Sequence, residues 1–494
     1  MSARNWKQGT VVVLGVVGLA LPALAQRESF EGARYELLGR TEKQLEELAV
    51  WCHDQRLYLE RDRCYEALIA IDPEHAQARK FLRYHKTARD GWEQQGYKAP
   101  KNRAEEPLAE LGRRRAELEA GFRTELAALA ERFDLAGAER TSLQDDILLL
   151  VPDDIEVRAR RGEVRGPQGA WILAETAAAL ERRPDLEAHA EILRGASVPI
   201  ESDAALEDSQ SWRSALHSAH ARLRGSCDAK ESKKLLRHTE TAVTLFELAF
   251  GEAPTLPDNY TIYVLGDSRS REEFLAEHPQ AEASLQMLEH GFSSVWTADR
   301  STLVVSSEDP EGRLGHTSRQ TIQRMLAETF GISPSQGWAY EGFGLALAEL
   351  VTGSPEVARN TGVFAGHWVW GDEKTLWTAA SALVRSGKAP ALQSLLSEDI
   401  AAFTREDVLL AYAFARYLLE GQGASAGKLL GACGYDMRPA AVVLEEVLGR
   451  DLATVEARFT RWVTDLSPSP ALQCASAGAP AEAPASALEP ISQE

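Results

Sequence analysis

Apolar residues recur at helical spacing along most of this chain and give way to a strand pattern in one short region. Apolar runs over 65–71 and 143–151 each stop at a proline, which reads as the end of a helix. Between them, residues 105–133 are charged and rich in Ala, Leu, Glu and Arg, the composition of an amphipathic helix. Apolar positions at Trp212, Leu216, Leu223, Leu235, Leu236, Val243, Leu245 and Leu248 predict a helical stretch from about Asp203 to Gly251. The period then changes. YTIYVLG (260–266) and STLVVSS (301–307) read as buried strands, with a short helix over 271–278 between them. Helices over 317–330 and 338–351 follow, then a helical region from 373 to about 466 and a Pro/Ala/Ser/Glu tail over 467–494 that reads as disordered. The pattern predicts a mainly α protein with a small α+β unit, organised as a helical repeat region over 26–200 and a second domain over 203–466 with a helical C-terminal part.

An internal repeat emerges when two prolines are aligned. IDPEHAQARKFLRYHKTARDGW carries Pro73, Arg79 and Trp92, and VPDDIEVRARRGEVRGPQGAW carries Pro152, Arg158 and Trp171. The offsets are the same in both copies, six residues from Pro to Arg and nineteen from Pro to Trp. Each unit is expected to be a helical hairpin followed by a short extended segment ending at the tryptophan, the two units forming an all-α arm that separates from the rest near 197–203. Residues 45–73 resemble one tetratricopeptide-type hairpin, with Ala49 at a small packing position and Asp72-Pro73 closing it, although Arg61 stands where that repeat usually carries alanine. Such repeats imply a surface for a protein partner. The plainer employment of Trp92 and Trp171 is to plug the core.

Composition and charge narrow the function. With 494 residues, 44% of them apolar, the chain exceeds one domain, and a formal net charge of −20 excludes a nucleic-acid binder that works by neutralising phosphates. Residues 1–25 read as a secretory signal: Arg4 and Lys7, an apolar stretch over 11–21, and Ala23-Leu24-Ala25 before Gln26. Even continued through Pro22 to Ala25, the apolar run falls short of the roughly 20 residues of a membrane span. The expected protein is exported, periplasmic or extracellular, with no membrane span after cleavage. Export gives the cysteines interest. Of Cys52, Cys64, Cys227, Cys433 and Cys474, only Cys52 and Cys64 are placed to face each other across a predicted helical turn, as a disulfide or as two buried thiols. His217 and His220, three apart on the predicted long helix, read as solvent-facing.

Candidate chemistry concentrates in RQTIQRMLAETFGISPSQGWAYEGFGLALAELVTG, residues 319–353. Trp338-Ala339-Tyr340-Glu341-Gly342 resembles the W-x-x-E-G segment of gluzincin metallopeptidases of the peptidase-MA-like kind, and the order of elements over 235–463 is similar. In that family the glutamate is the third zinc ligand, and an HExxH helix about twenty residues upstream supplies two histidines and the general base. A catalytic zinc needs three such donors and an open position for water. Placing Ile322, Met325 and Leu326 on the apolar face sets Gln320-Thr321-Ile322-Gln323-Arg324 in the place of HExxH. The histidines are then Gln320 and Arg324, the base is Thr321, and Glu341 alone survives; a guanidinium has no lone pair to offer zinc. The resemblance therefore implies a degenerate zincin-like domain with no catalytic residues, no metal and no other cofactor. It implies a secreted, inactive metallopeptidase-like protein with a binding or scaffolding role; the alternative is an active hydrolase with an unrecognised site. Without metal, Arg324 is expected to form an ion pair with Glu341.

Overall fold

Helices of the first part of the chain pack around two small cores, beginning with α1 (Val17–Asp54) and α2 (Tyr58–Ile71), which meet through Leu45, Leu48, Ala49 and Cys52 on one side and Cys64, Tyr65 and Leu68 on the other. The computed structural model describes residues 17–87, 91–167, 169–202, 212–289, 293–307, 309–353, 375–423 and 425–467, with the side chains of 17–29 and 138 excepted. The greater part of the predicted signal, residues 1–16, and the tail beyond 467 lie outside the described residues. No described helix is long and apolar enough to cross a membrane. The protein is mainly α with a small α+β unit, and it divides into two units, Met1–Glu163 and Val164–Glu494.

In the first unit, α3 (Ala76–Phe81) leads into a hairpin of β1 (Tyr84–Lys86) and β2 (Trp92–Gln94). The chain continues through α4 (Leu108–Arg132), α5 (Gly137–Asp145), α6 (Ile155–Arg160) and β3 (Glu163–Arg165), and β4 (Trp171–Leu173) opens the stretch beyond it. The six-residue spacing of the repeat has a local cause. Arg79 Nε donates to the Pro73 carbonyl at 2.9 Å, and Arg158 Nε donates to the Pro152 carbonyl at 2.9 Å. In both copies the residue two after the proline caps the short helix: His75 Nδ1 accepts from Ala78 N–H and Asp154 from Val157 N–H. Trp92 is not a core plug. It is half-buried, with the Arg79 guanidinium 5.0 Å from its ring and its indole N–H donating to Glu74 at 2.8 Å. The short strand pairs also mean that the repeat region is not all-α.

The division between units falls about forty residues before the expected one. The reason is α7 (Ala174–Gly195), whose Leu186 and Ala190 join the main core of the second unit. The expected separation point itself holds β5 (Glu201–Ser202), hydrogen-bonded into a sheet. The predicted helix from Asp203 is also corrected: β6 (Ser214–His217) and β7 (Arg222–Gly225) precede α8 (Ala229–Phe250), and residues 203–211 lie outside the described ones. Leu216 and Leu223 point into the core while His217 and Arg222 point out, a strand alternation carried by residues with good helix propensity.

Then come β8 (Thr261–Val264), α9 (Ser268–Glu277), α10 (Glu282–Glu289), β9 (Ser294–Trp296) and β10 (Thr302–Val305). The six strands run in the order β5-β6-β7-β8-β10-β9, with β7, β8 and β10 parallel and β9 antiparallel at the edge. Alternate residues serve opposite faces. Ile262, Val264, Leu303 and Val305 pack with Leu235 and Leu236 of α8, whereas Tyr263 and Val304 pack with Phe274 of α9 and Leu285 of α10.

The rest is helical: α11 (Pro310–Phe330), α12 (Gly337–Thr352), α13 (Leu376–Arg385), α14 (Leu392–Leu395), α15 (Arg405–Arg416), a π-helical turn (Tyr417–Gly421), α16 (Ser425–Gly434), α17 (Ala440–Leu448) and α18 (Leu452–Leu466). Two glycines let α12 approach its neighbours. A Cβ on Gly342 would overlap the Ala411 carbonyl of α15, and one on Gly344 would stand 3.0 Å from Gln323 Cγ and 3.4 Å from Arg319 Cγ of α11. Because a helix backbone cannot yield as a side chain can, Gly342→Ala is expected to cost about 1–3 kcal/mol by overpacking, read from the urea midpoint.

Candidate functional site

Helix α11 begins seven residues before the predicted start. Asp309 accepts from the N–H groups of Glu311 and Gly312, Pro310 takes the first helical position, and Gly331 ends the helix in the left-handed region at φ 74°. The added turns bring His316 onto the helix, with Arg319 and Gln323 on the turns that follow. With β9 and α12 they enclose a cavity of about 260 Å³, lined by Trp296 of β9, by His316, Arg319, Gln320 and Gln323 of α11, and by Tyr340 and Glu341 of α12, with Met287 and Ile400 at its edges.

Glu341 is the centre of this site and is 1% exposed. Arg319 Nη1 donates to its Oε1 at 2.7 Å, and Gln323 Nε2 donates to its Oε2 at 2.8 Å and lies 3.3 Å from the Tyr340 carbonyl. Both carboxylate oxygens are therefore engaged, one by a charge-assisted bond. Arg319 and Gln323 are themselves 5% and 1% exposed. Burial pushes the neighbouring Tyr340 phenol up to about 12.

The predicted residues are divided by the structure. Gln320 lies on the cavity wall, where its Oε1 accepts from the Trp296 indole N–H at 2.7 Å. Thr321 turns to the sheet: its hydroxyl donates to the Thr317 carbonyl at 2.8 Å and lies 2.7 Å from the Tyr260 hydroxyl. Arg324 does not reach Glu341. It pairs with Glu328 one turn further along and lies over the Trp296 ring at 5.6 Å. At about 100° per residue, Arg324 stands about 140° around the helix from Arg319, so one partner excludes the other. The expected Arg324–Glu341 pair is therefore not formed, and the guanidinium on Glu341 is that of Arg319.

His316, Arg319 and Gln323 are the residues that the sequence reading missed. A helix started at Pro310 places His316 with Gln320 at i, i+4, whereas Arg319 and Gln323 fall about 60° and about 100° from Ile322, on the side of Leu326 and Phe330, where the apolar pattern hides them. The histidine pair is also relocated: His217 is on β6, 3.6 Å from Glu201, and His220 follows in the turn, 2.7 Å from Glu240. Both are exposed. Cys52 and Cys64 do face each other, as free thiols.

The zinc that the metallopeptidase resemblance implies does not fit these residues. The carboxylate that would ligate it is held by a guanidinium and an amide, and among the described residues no three of His, Cys, Asp and Glu are grouped to hold a metal ion. No family model, curated protein or solved structure matches this chain.

Proposed function

We propose that the second unit is a metallopeptidase-like scaffold that binds a polypeptide segment without cleaving it, within an exported protein whose helical repeats contact a protein partner. The observation that carries this reading is the Arg319–Glu341–Gln323 cluster. In the gluzincin pattern the glutamate faces a metal and two histidines spaced i, i+4; because His316 and Gln320 line the cavity and Thr321 and Arg324 do not, we set that spacing at His316 and Gln320 instead of Gln320 and Arg324, with Thr317 where the general base would be and Arg319 supplying the positive charge. One histidine and one glutamate remain. They cannot make the three-donor site with an open position that zinc catalysis needs.

What remains is a recognition surface. A neutral ion pair at the base and Trp296, Tyr340, Met287 and Ile400 around it suit an uncharged apolar side chain, with Gln320 able to hydrogen-bond a peptide group. The purified protein is expected to carry no stoichiometric zinc by elemental analysis and to leave a quenched peptide library intact with or without added zinc, while retaining peptides from it. Zinc at about one per chain, lost in Glu341→Ala, would replace this reading. His316 in the same cavity as Glu341 favours the alternative, a working hydrolase, and metal-independent turnover abolished in both His316→Ala and Glu341→Gln would establish it.

A further inference from the structure

The two cysteines that meet between α1 and α2 are almost wholly enclosed, Cys52 at 0% and Cys64 at 2% exposure, and they are not equivalent. The Cys52 thiol hydrogen-bonds Cys64, which holds Cys64 below the ordinary thiol range and pushes Cys52 above it. Arg115 of α4 acts in the same direction on Cys64, by charge and by hydrogen bond. Arg115 is itself anchored at 3.0 Å by Glu60, a buried carboxylate that also receives Arg63 at 2.8 Å. Cys64 has an approach as well. It forms part of the wall of a cavity of about 460 Å³ bounded by α1, α2, α4 and residues 149–153. Besides Arg115 and Glu60, the charged groups facing this region are Arg63 and Glu66 of α2, Glu119 of α4 and Asp153, with only the apolar Leu45 and Leu48 contributed by α1. Cys433, in contrast, is buried among apolar groups that push its thiol up to about 12.

We propose that Cys64 is a thiol–disulfide exchange site for a low-molecular-weight disulfide admitted by this cavity, with Cys52 as the resolving thiol. The Cys64 thiolate attacks one sulfur of the incoming disulfide and bonds to it; the incoming S–S bond breaks, and the other half leaves as a thiolate that takes up the proton Cys64 has lost. Cys52 then attacks the Cys64 sulfur, its proton passing to the second leaving thiolate. Together the cysteines lose two electrons, and the incoming disulfide gains them as two thiols. The reverse exchange restores the dithiol. This site lies in the first unit and is independent of the binding reading for the second.

The test uses the full chain, reduced, freed of reductant and exposed to 2-hydroxyethyl disulfide, with the products mapped by digestion and mass spectrometry. The unsubstituted protein is expected to yield a Cys52–Cys64 disulfide well before Cys433 reacts. Cys52→Ser should stop at a mercaptoethanol adduct on Cys64. Arg115→Gln should slow capture at neutral pH by about tenfold and move the rate profile to higher pH by about one unit, because the reactive species is the thiolate. Modification of Cys64 no faster than Cys433 in the unsubstituted protein would overturn the proposal, as would a rate profile unmoved by Arg115→Gln in a chain that retains its helical circular dichroism.

Discussion

Arg319→Ala is expected to destabilise the protein by about 3–5 kcal/mol in denaturant unfolding, the loss typical when one partner of a buried ion pair is removed. The alanine leaves the Glu341 carboxylate 1% exposed, with Gln323 as its one remaining donor, and a neutral amide cannot offset the desolvation of a charge. The double variant Arg319→Met with Glu341→Leu should recover most of the loss, because the cost lies in the unpaired charge rather than in the missing pair. Arg324→Ala supplies the contrast. Its partner Glu328 is 34% exposed, so the loss should stay below about 1 kcal/mol. Equal losses in the two single variants would reject the assignment of Arg319 as the partner of Glu341.

Glu175→Gln should have an effect of similar size, about 3–5 kcal/mol, together with a change in acid stability. Glu175 stands in the first turn of α7 and joins it to α18: Arg458 donates to it through Nε at 2.9 Å and Nη2 at 2.5 Å, and Arg450 through Nη1 at 3.0 Å. Burial alone would raise the Glu175 carboxyl, but the hydrogen bonds from Arg458 and the charges of both arginines outweigh it and hold the group below the ordinary carboxylate range. A carboxyl whose folded value is depressed contributes stability that is fully present above its unfolded value, about 4.3, and is lost as pH falls through the folded one. Unfolding free energies measured against pH should therefore decline more steeply below about pH 4 in the native protein than in Glu175→Gln. Parallel curves would show that the clasp is not formed.

Local rules made much of this legible in the sequence. The helix periods placed Ile322, Met325 and Leu326 in the core, where each is 0% exposed, and the strand pattern over 260–266 and 301–307 yielded β8 and β10. The proline repeat was visible because its cause is local, an arginine reaching back six residues to a carbonyl. Glu341 stood out only through the resemblance of Trp338-Ala339-Tyr340-Glu341-Gly342 to a metallopeptidase segment. By contrast β6 and β7 were hidden, since their Ala, Leu and Arg residues carry helix rather than strand propensity and the segments become strands by pairing with each other and with β8.

The sequence by itself thus determined the helical class and the apolar face of α11. Tertiary structure decided which cation meets Glu341 and where the second unit begins. By helical period Arg324 faces away from the apolar residues, whereas Arg319 falls among them, between Leu326 and Phe330. Which one reaches Glu341 depends on where α12 crosses α11, and there Gly344 brings α12 close to Gln323 and Arg319. In the same way α7 belongs to the second unit because Leu186, Ala190 and Glu175 find their partners more than fifty residues away in sequence. A period along one segment encodes which face is apolar; it carries no information about the partner that will cover that face.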